Sequence, residues 1–123
     1  MIGCMSTSVV LIDDDPSFRG LARRMLSMLG LAVIGEADSC ATGLETAADL
    51  RPQAVLVDVG LPDGDGIALA RQLAALPWRP RVVLTSVDPE AATPDDVRRS
   101  GANGFAPKDQ LPGAGLRLLL APG

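Results

Sequence analysis

The sequence predicts an α/β domain built on a doubly wound parallel sheet, and three observations carry the prediction. Short apolar runs at residues 8–12, 54–57 and 81–85 alternate with segments of helical spacing, the pattern of parallel strands joined by helical crossovers. The runs are continuously apolar rather than alternating, as expected of strands covered on both faces. Finally, polar residues stand where strands end: Asp13 and Asp14 after the first, Asp58 after the third, Thr85 at the end of the fourth and Lys108 after the fifth. Right-handed crossovers put helices on both faces, and ligands of such sheets bind beyond the carboxyl ends of the strands.

Taken in order, residues 1–7 read as a loose leader, residues 8–120 as the domain and residues 121–123 as a frayed end or the start of a linker. Residues 8–12 form the first strand. Asp15 then caps a helix with Pro16 in its first turn. Phe18, Leu21, Ala22, Met25 and Leu29 keep helical spacing, and Gly30 stops the helix. Residues 31–37 form a second, less apolar strand, read as an edge. Ser39 caps a helix that runs through Leu50, with Leu44, Ala47 and Ala48 on one face, and Pro52 lies beyond it. Residues 54–57 are the most apolar strand, ending on Asp58.

Gly64-Asp65-Gly66 leads into a helix over 67–76, with Ala70, Leu73 and Ala74 inward. Asp63 and Asp65 read as turn formers. Pro77 and Pro80 bracket a loop holding the only Trp, and residues 81–85 are the fourth strand. A long loop precedes Thr93-Pro94-Asp95-Asp96, where Thr caps, Pro takes the first helical position and two acids meet the helix dipole. A short fourth helix over 94–100 follows. Residues 105–107 make a brief fifth strand before Lys108, and residues 111–120 a last helix, weakened early by Gly113 and Gly115.

Composition excludes several classes of function. The chain has 123 residues and a net charge of -4, with its 11 Lys and Arg spread out, which argues against gripping a phosphate backbone. Cys4 and Cys40 are too few for a disulfide framework. With no His, a structural zinc site is excluded, and the two thiols suit a reducing compartment. There is neither a basic leader with a long apolar run nor an apolar stretch of membrane-spanning length. A cytoplasmic protein without nucleic-acid or membrane contacts of its own is expected.

Three carboxylates on one rim repel each other unless a cation joins them. Oxygen ligands alone favour Mg²⁺, which takes few protein carboxylates and keeps several waters. Lys108 adds a fixed positive charge and Thr85 a hydroxyl donor. Carboxylate, Mg²⁺, lysine and hydroxyl together meet the needs of phosphoryl transfer, where positioning and charge stabilisation dominate. With no other nucleophile on the rim, a carboxylate can itself accept the phosphoryl group. Taken singly, Asp14 reads as a helix cap, Thr85 as a strand residue and Lys108 as a solvated lysine; the specificity lies in the joint pattern.

The segments Val9-Val10-Leu11-Ile12-Asp13-Asp14-Asp15-Pro16, Val57-Asp58-Val59-Gly60-Leu61-Pro62-Asp63-Gly64-Asp65-Gly66, Val82-Val83-Leu84-Thr85-Ser86 and Gly101-Ala102-Asn103-Gly104-Phe105-Ala106-Pro107-Lys108 resemble those of two-component response regulator receiver domains (CheY-like), over nearly the whole chain. The resemblance implies the flavodoxin-like strand order 2-1-3-4-5. It implies that Asp58 is the phospho-acceptor, that Asp13, Asp14, Asp58 and the Gly60 carbonyl hold Mg²⁺, and that Lys108 pairs with the acceptor or its phosphate. Thr85 and Phe105 become the switch pair, the donor a histidine kinase or phosphotransfer protein, and the face over 87–120 the surface for a downstream protein or a second copy.

Four positions depart from the commonest pattern of that family. Asp109 stands where a proline often follows the lysine, Gly60 where a side chain usually flanks the phosphate, and Ser86 where a smaller residue follows the threonine. Val87 puts an apolar group where polar side chains can orient a hydrolytic water, which predicts slow self-dephosphorylation. The competing reading is a Mg²⁺-dependent aspartyl-phosphate phosphatase or phosphotransferase; such enzymes carry a second Asp where Gly60 stands. A nucleotide- or flavin-binding domain lacks its glycine-rich loop after the first strand.

Overall fold

The computed structural model describes residues 6–111, 113 and 115–121. The elements are β1 (Ser8–Ile12), α1 (Pro16–Met28), β2 (Ala32–Ala37), α2 (Cys40–Leu50), β3 (Ala54–Asp58), a small hairpin of β4 (Gly60–Leu61) and β5 (Gly64–Asp65), α3 (Gly66–Ala74), β6 (Arg81–Ser86), α4 (Pro94–Ser100), β7 (Gly104–Pro107) and α5 (Leu116–Leu120), with a 3-10 turn at Lys108–Gln110 before α5. Five strands pair in parallel in the order β2-β1-β3-β6-β7. Counting those five alone, this is the expected 2-1-3-4-5, and β2 is an edge strand as expected.

Strand alternation sorts the core into two layers, because successive side chains leave a strand on opposite faces. Val10, Ile12, Val55, Val57, Val82 and Leu84 pack with Ala47 of α2 and with Leu69 and Leu73 of α3. Val9, Leu11, Leu56 and Val83 face the other way, onto Phe18, Ala22 and Leu26 of α1 and Leu116 and Leu120 of α5. Each large apolar side chain fully buried this way is worth roughly 1.5–3 kcal/mol, so β1, β3 and β6 are fixed from both sides. All five residues of β3 are buried, Asp58 among them.

Helix starts follow local chemistry. Asp15 accepts from Ser17 N at 2.9 Å with Pro16 behind it, and the Ser39 hydroxyl accepts from Thr42 N at 3.1 Å. At α4 the expected start is seen: Thr93 Oγ1 accepts from Asp96 N and Thr93 N donates to an Asp96 carboxylate oxygen, both at 3.0 Å. Gly30, at φ 82, takes the left-handed position after α1 that stops the helix.

Some boundaries differ from expectation. The third helix begins one residue earlier, at Gly66, and ends at Ala74 rather than 76. Ala48 is exposed rather than inward. The last helix starts at Leu116 instead of 111. Gly115 sits at φ 98 before it, and glycines at 113 and 115 make a helix there costly, so the chain spends its apolar spacing on the 3-10 turn and a short final helix. Residues 1–5, 122 and 123, and so most of the expected leader and tail, lie outside the described residues. Among the described residues no helix is long and apolar enough to cross a membrane.

Candidate functional site

The rim at the carboxyl ends of the strands gathers the predicted residues. Asp13 follows β1, Asp58 ends β3, Thr85 pairs with Asp58 across the β3–β6 register, and Lys108 follows β7. Carboxylate oxygens of Asp13, Asp14 and Asp58 lie within 4.8 Å of one another. Asp13 and Asp58 are 2% and 7% exposed, whereas Asp14 faces solvent. The sheet delivers two acids into the protein and one to its surface, over a single point.

Hydrogen bonds fix the two buried acids asymmetrically. Asp58 Oδ1 accepts from Gly60 N at 3.0 Å, and Asp13 Oδ1 accepts from Asp15 N at 2.9 Å. The outward oxygens turn to Lys108, whose Nζ is 2.7 Å from Asp13 Oδ2 and 3.4 Å from Asp58 Oδ2. Buried Asp13 Oδ2 is paired with the ammonium and has no other partner among the described residues. Burial is the main cause that raises the Asp13 pKa, and the charge of Asp58 adds to it. Lys108 and the Asp15 N–H pull it down without prevailing. Burial also opposes the charge on Lys108, but Asp13 and Asp58 together outweigh it and raise the Lys108 pKa. Three converging carboxylates with no His or Cys ligand grouped with them among the described residues form a site suited to a small hard cation.

Thr85 does not turn to Asp58. Its hydroxyl donates to the Ala106 carbonyl of β7 at 2.6 Å, beside Phe105. Phe105 is half-buried, packs against the α2–α3 side of the core and borders a cavity of about 460 Å³ with Pro89, Ala92, Pro94 and Val97. Gly60 is exposed and donates its N–H to Asp58; an added Cβ there would still stand 4.0 Å from Asp58 Oδ1. Val87 is 78% exposed. All the predicted residues therefore fall on this rim or on its β6–β7 flank.

Sequence reading missed several supports. Asp63 reaches 23 positions back to accept from Cys40 N at 2.6 Å and Ala41 N at 3.1 Å, which holds its pKa down and ties the loop after Asp58 to the start of α2. Asp65 caps α3 through Ile67 N, so neither acid is only a turn former. Arg19 Nη1 donates to the Asp13 carbonyl at 2.5 Å while its Nε pairs with Glu36, bracing the acidic loop against β2. Lys108 is the sole lysine among the basic residues, a signal that composition alone held. Gly66 is demanded by close approach: a Cβ there would lie 2.1 Å from the Asp58 carbonyl oxygen.

Comparison with known proteins identifies the family. The response regulator receiver domain family matches residues 9–117. The chain is 33% identical over 106 residues to the virulence factors putative positive transcription regulator BvgA of Bordetella pertussis, covering 86% of this chain and 51% of BvgA. It is 35% identical over 109 residues to the response regulator GacA of Pseudomonas viridiflava, covering 88% and 49%. The chain thus spans about half the length of these curated relatives. Among solved structures, the signal receiver domain of the putative response regulator NarL from Mycobacterium tuberculosis superposes with TM-score 0.75 at 34% identity, covering 85% of each chain. A LuxR-family two-component response regulator from Aurantimonas sp. SI85-9A1 superposes with TM-score 0.79 at 25% identity, covering 88% of this chain and 78% of that one. A family match over most of the chain, on a fold that gathers these acids at one rim, makes this chain a member of the response regulator receiver domain family of two-component signalling.

Proposed function

We propose that the chain accepts a phosphoryl group on Asp58 from a phosphohistidine and so switches a partner-binding face. The observation that carries this reading is the convergence of the Asp13, Asp14 and Asp58 carboxylates beside the Lys108 ammonium. Asp13, Asp14, Asp58 and the Gly60 carbonyl would hold Mg²⁺, which when bound supplies positive charge beside phosphate oxygens. A carboxylate oxygen of Asp58 attacks phosphorus: the O–P bond forms, the N–P bond of the donor breaks, and the imidazole leaves with the electron pair and takes a proton from solvent. Because the chain has no His, the donor is a separate histidine kinase or phosphotransfer protein.

The added phosphate brings nearly two negative charges and strong acceptor oxygens. Lys108 meets one of them. The Thr85 hydroxyl turns from Ala106 to another, which frees β7 and lets Phe105 move into the space by Pro94 and Val97. The face over 87–120 then takes a downstream protein or a second copy, a signalling role within the domain at 8–120 in the cytoplasm. Val87 offers no hydrogen bond to a hydrolytic water, so the phosphorylated state is expected to be long-lived. The test is incubation with acetyl phosphate and Mg²⁺, read by intact mass. One phosphoryl group on the wild type, and none on Asp58→Ala or without Mg²⁺, supports the reading; an unmodified wild type overturns it. Hydrolysis of many donor molecules per chain would favour the phosphatase alternative.

A further inference from the structure

Lys108 is held on a side that the phosphoryl-transfer reading does not use. Its Nζ stands 4.2 Å from the centroid of the Phe18 ring, opposite a chain position 90 residues away. Phe18 is the third residue of α1 and is 9% exposed. Phe18 belongs to the same core layer as Ala22 and Leu26 of α1, and its ring face meets the Lys108 ammonium beyond β7. The outer side borders an open groove of about 440 Å³ shared with Leu21, Val87 and Asp109.

The backbone of Lys108 supplies little restraint of its own. The residue opens a three-residue 3-10 turn with no side-chain cap, followed by exposed Asp109 and Gln110. A lysine stem is flexible, and two carboxylates at 2.7 and 3.4 Å can attract the ammonium without defining the path of the stem. An aromatic face can define it. The ring carries negative potential on its faces and attracts a cation within about 6 Å, more strongly where water is excluded; the Lys108 side chain is only 10% exposed. An aliphatic residue would fill the same volume without that attraction.

We propose that Phe18 is a positioning residue: its ring face seats the Lys108 ammonium over the Asp13–Asp58 pair, so that the cation stands ready before a phosphoryl group arrives. This rests on Asp58 being the acceptor. The competing account is that Phe18 only fills the α1 side of the core.

The test compares the wild type with Phe18→Leu and Phe18→Met, which keep an apolar side chain, and Phe18→Tyr, which keeps the ring. Lys108 is the only lysine, so ¹³C-lysine labelling gives one ε-methylene signal. In the wild type and Phe18→Tyr this signal is expected upfield from the ring current, and in Phe18→Leu and Phe18→Met at the ordinary position. At saturating acetyl phosphate, phosphorylation of the Leu and Met variants is expected to fall roughly three- to thirtyfold, the range a partly desolvated cation–π contact supports, with Phe18→Tyr near the wild type. Two aliphatic variants guard against one failing to fold. No upfield signal in the wild type would overturn the seat, and Leu and Met variants phosphorylated as fast as the wild type would overturn the positioning role. A wild type that shows the upfield signal but takes up no phosphoryl group would sink the phospho-acceptor reading and the positioning role with it, while leaving the contact itself established.

Discussion

The two flanks of the rim are built differently. On the β1–β3 side most supports are long-range: both strands are packed on both faces, Asp13 and Asp58 are buried, and Asp63 and Arg19 tie the surrounding loops to α2 and β2. On the α4–β7 side the supports are mostly local. In α4 Ser100 is the one buried residue. Its start is closed by Thr93 and Asp96, three residues apart, and its exposed face by Asp95 pairing with Arg98 and Arg99. Every residue of β7 is only half-buried, at a sheet edge. A segment that closes on itself can shift without dismantling the core, because local opening costs less where few buried contacts are lost. The contrast sets a flank fixed by buried contacts, which carries the three acids, against a flank closed mostly by local ties, which carries the proposed switch.

The strongest way to break the fixed flank is Gly66→Ala. The new Cβ would fall 2.1 Å from the Asp58 carbonyl oxygen and 2.7 Å from the Val59 Cα. These are backbone atoms of the loop leaving the central strand, so no side chain can swing aside. Overpacking of this kind costs about 3 kcal/mol or more. Urea unfolding should show a lower midpoint with an unchanged slope, and wild-type stability in the variant would mean that the loop after β3 is softer than its contacts indicate.

A smaller effect, of opposite sign, is expected at Asp13. Its carboxyl ionises less readily in the folded chain than in the unfolded one, chiefly through burial. The unfolded chain therefore loses this proton first as pH rises. Stability from this group falls from the ordinary aspartate range up through the raised value, and at neutral pH the ionised form is a net cost. Asp13→Asn should thus stabilise the Mg²⁺-free protein at pH 7, read as a higher urea midpoint than the wild type. The gain should vanish at a pH where Asp13 is protonated in both states. A destabilised variant at pH 7 would show instead that the Lys108 pair outweighs desolvation.

The same contrast explains what the sequence disclosed. Strand ends were legible because an apolar run that stops on an acid or a threonine is visible in one dimension, and Thr93-Pro94-Asp95-Asp96 announces its helix locally. The last helix reads as starting too early because the stretch from Leu111 to Leu120 is rich in leucine, while the cost of Gly113 and Gly115 depends on what the fold offers instead. Phe18 at helical spacing reads as plain core; its contact with Lys108 depends on how α1 and β7 meet in space. Asp63 bonding to α2, and Asn103 replacing a strand residue by bonding Val82 at both its N–H and its carbonyl, are likewise set by distant chain segments.

The smallest predicted effect is on the movable flank, at Thr93→Ala. Losing the capping hydroxyl leaves the Asp96 N–H without its partner and removes one arm of a reciprocal pair. Helix caps of this type are worth about 1 kcal/mol, and α4 has only seven residues to share the loss. Because its ties are local, the cost should appear as local opening. Native-state hydrogen exchange should speed up for the amides of Val97 to Gly101, with β3 amides unchanged at low denaturant. Uniform acceleration across the sheet would mean that α4 opens only with the whole domain, and the division between a fixed and a movable flank would fail. Acceleration confined to α4 would give the element between Thr85 and Phe105 a measured opening free energy, which bounds how much work a phosphoryl group on the proposed acceptor Asp58 would have to do to move it.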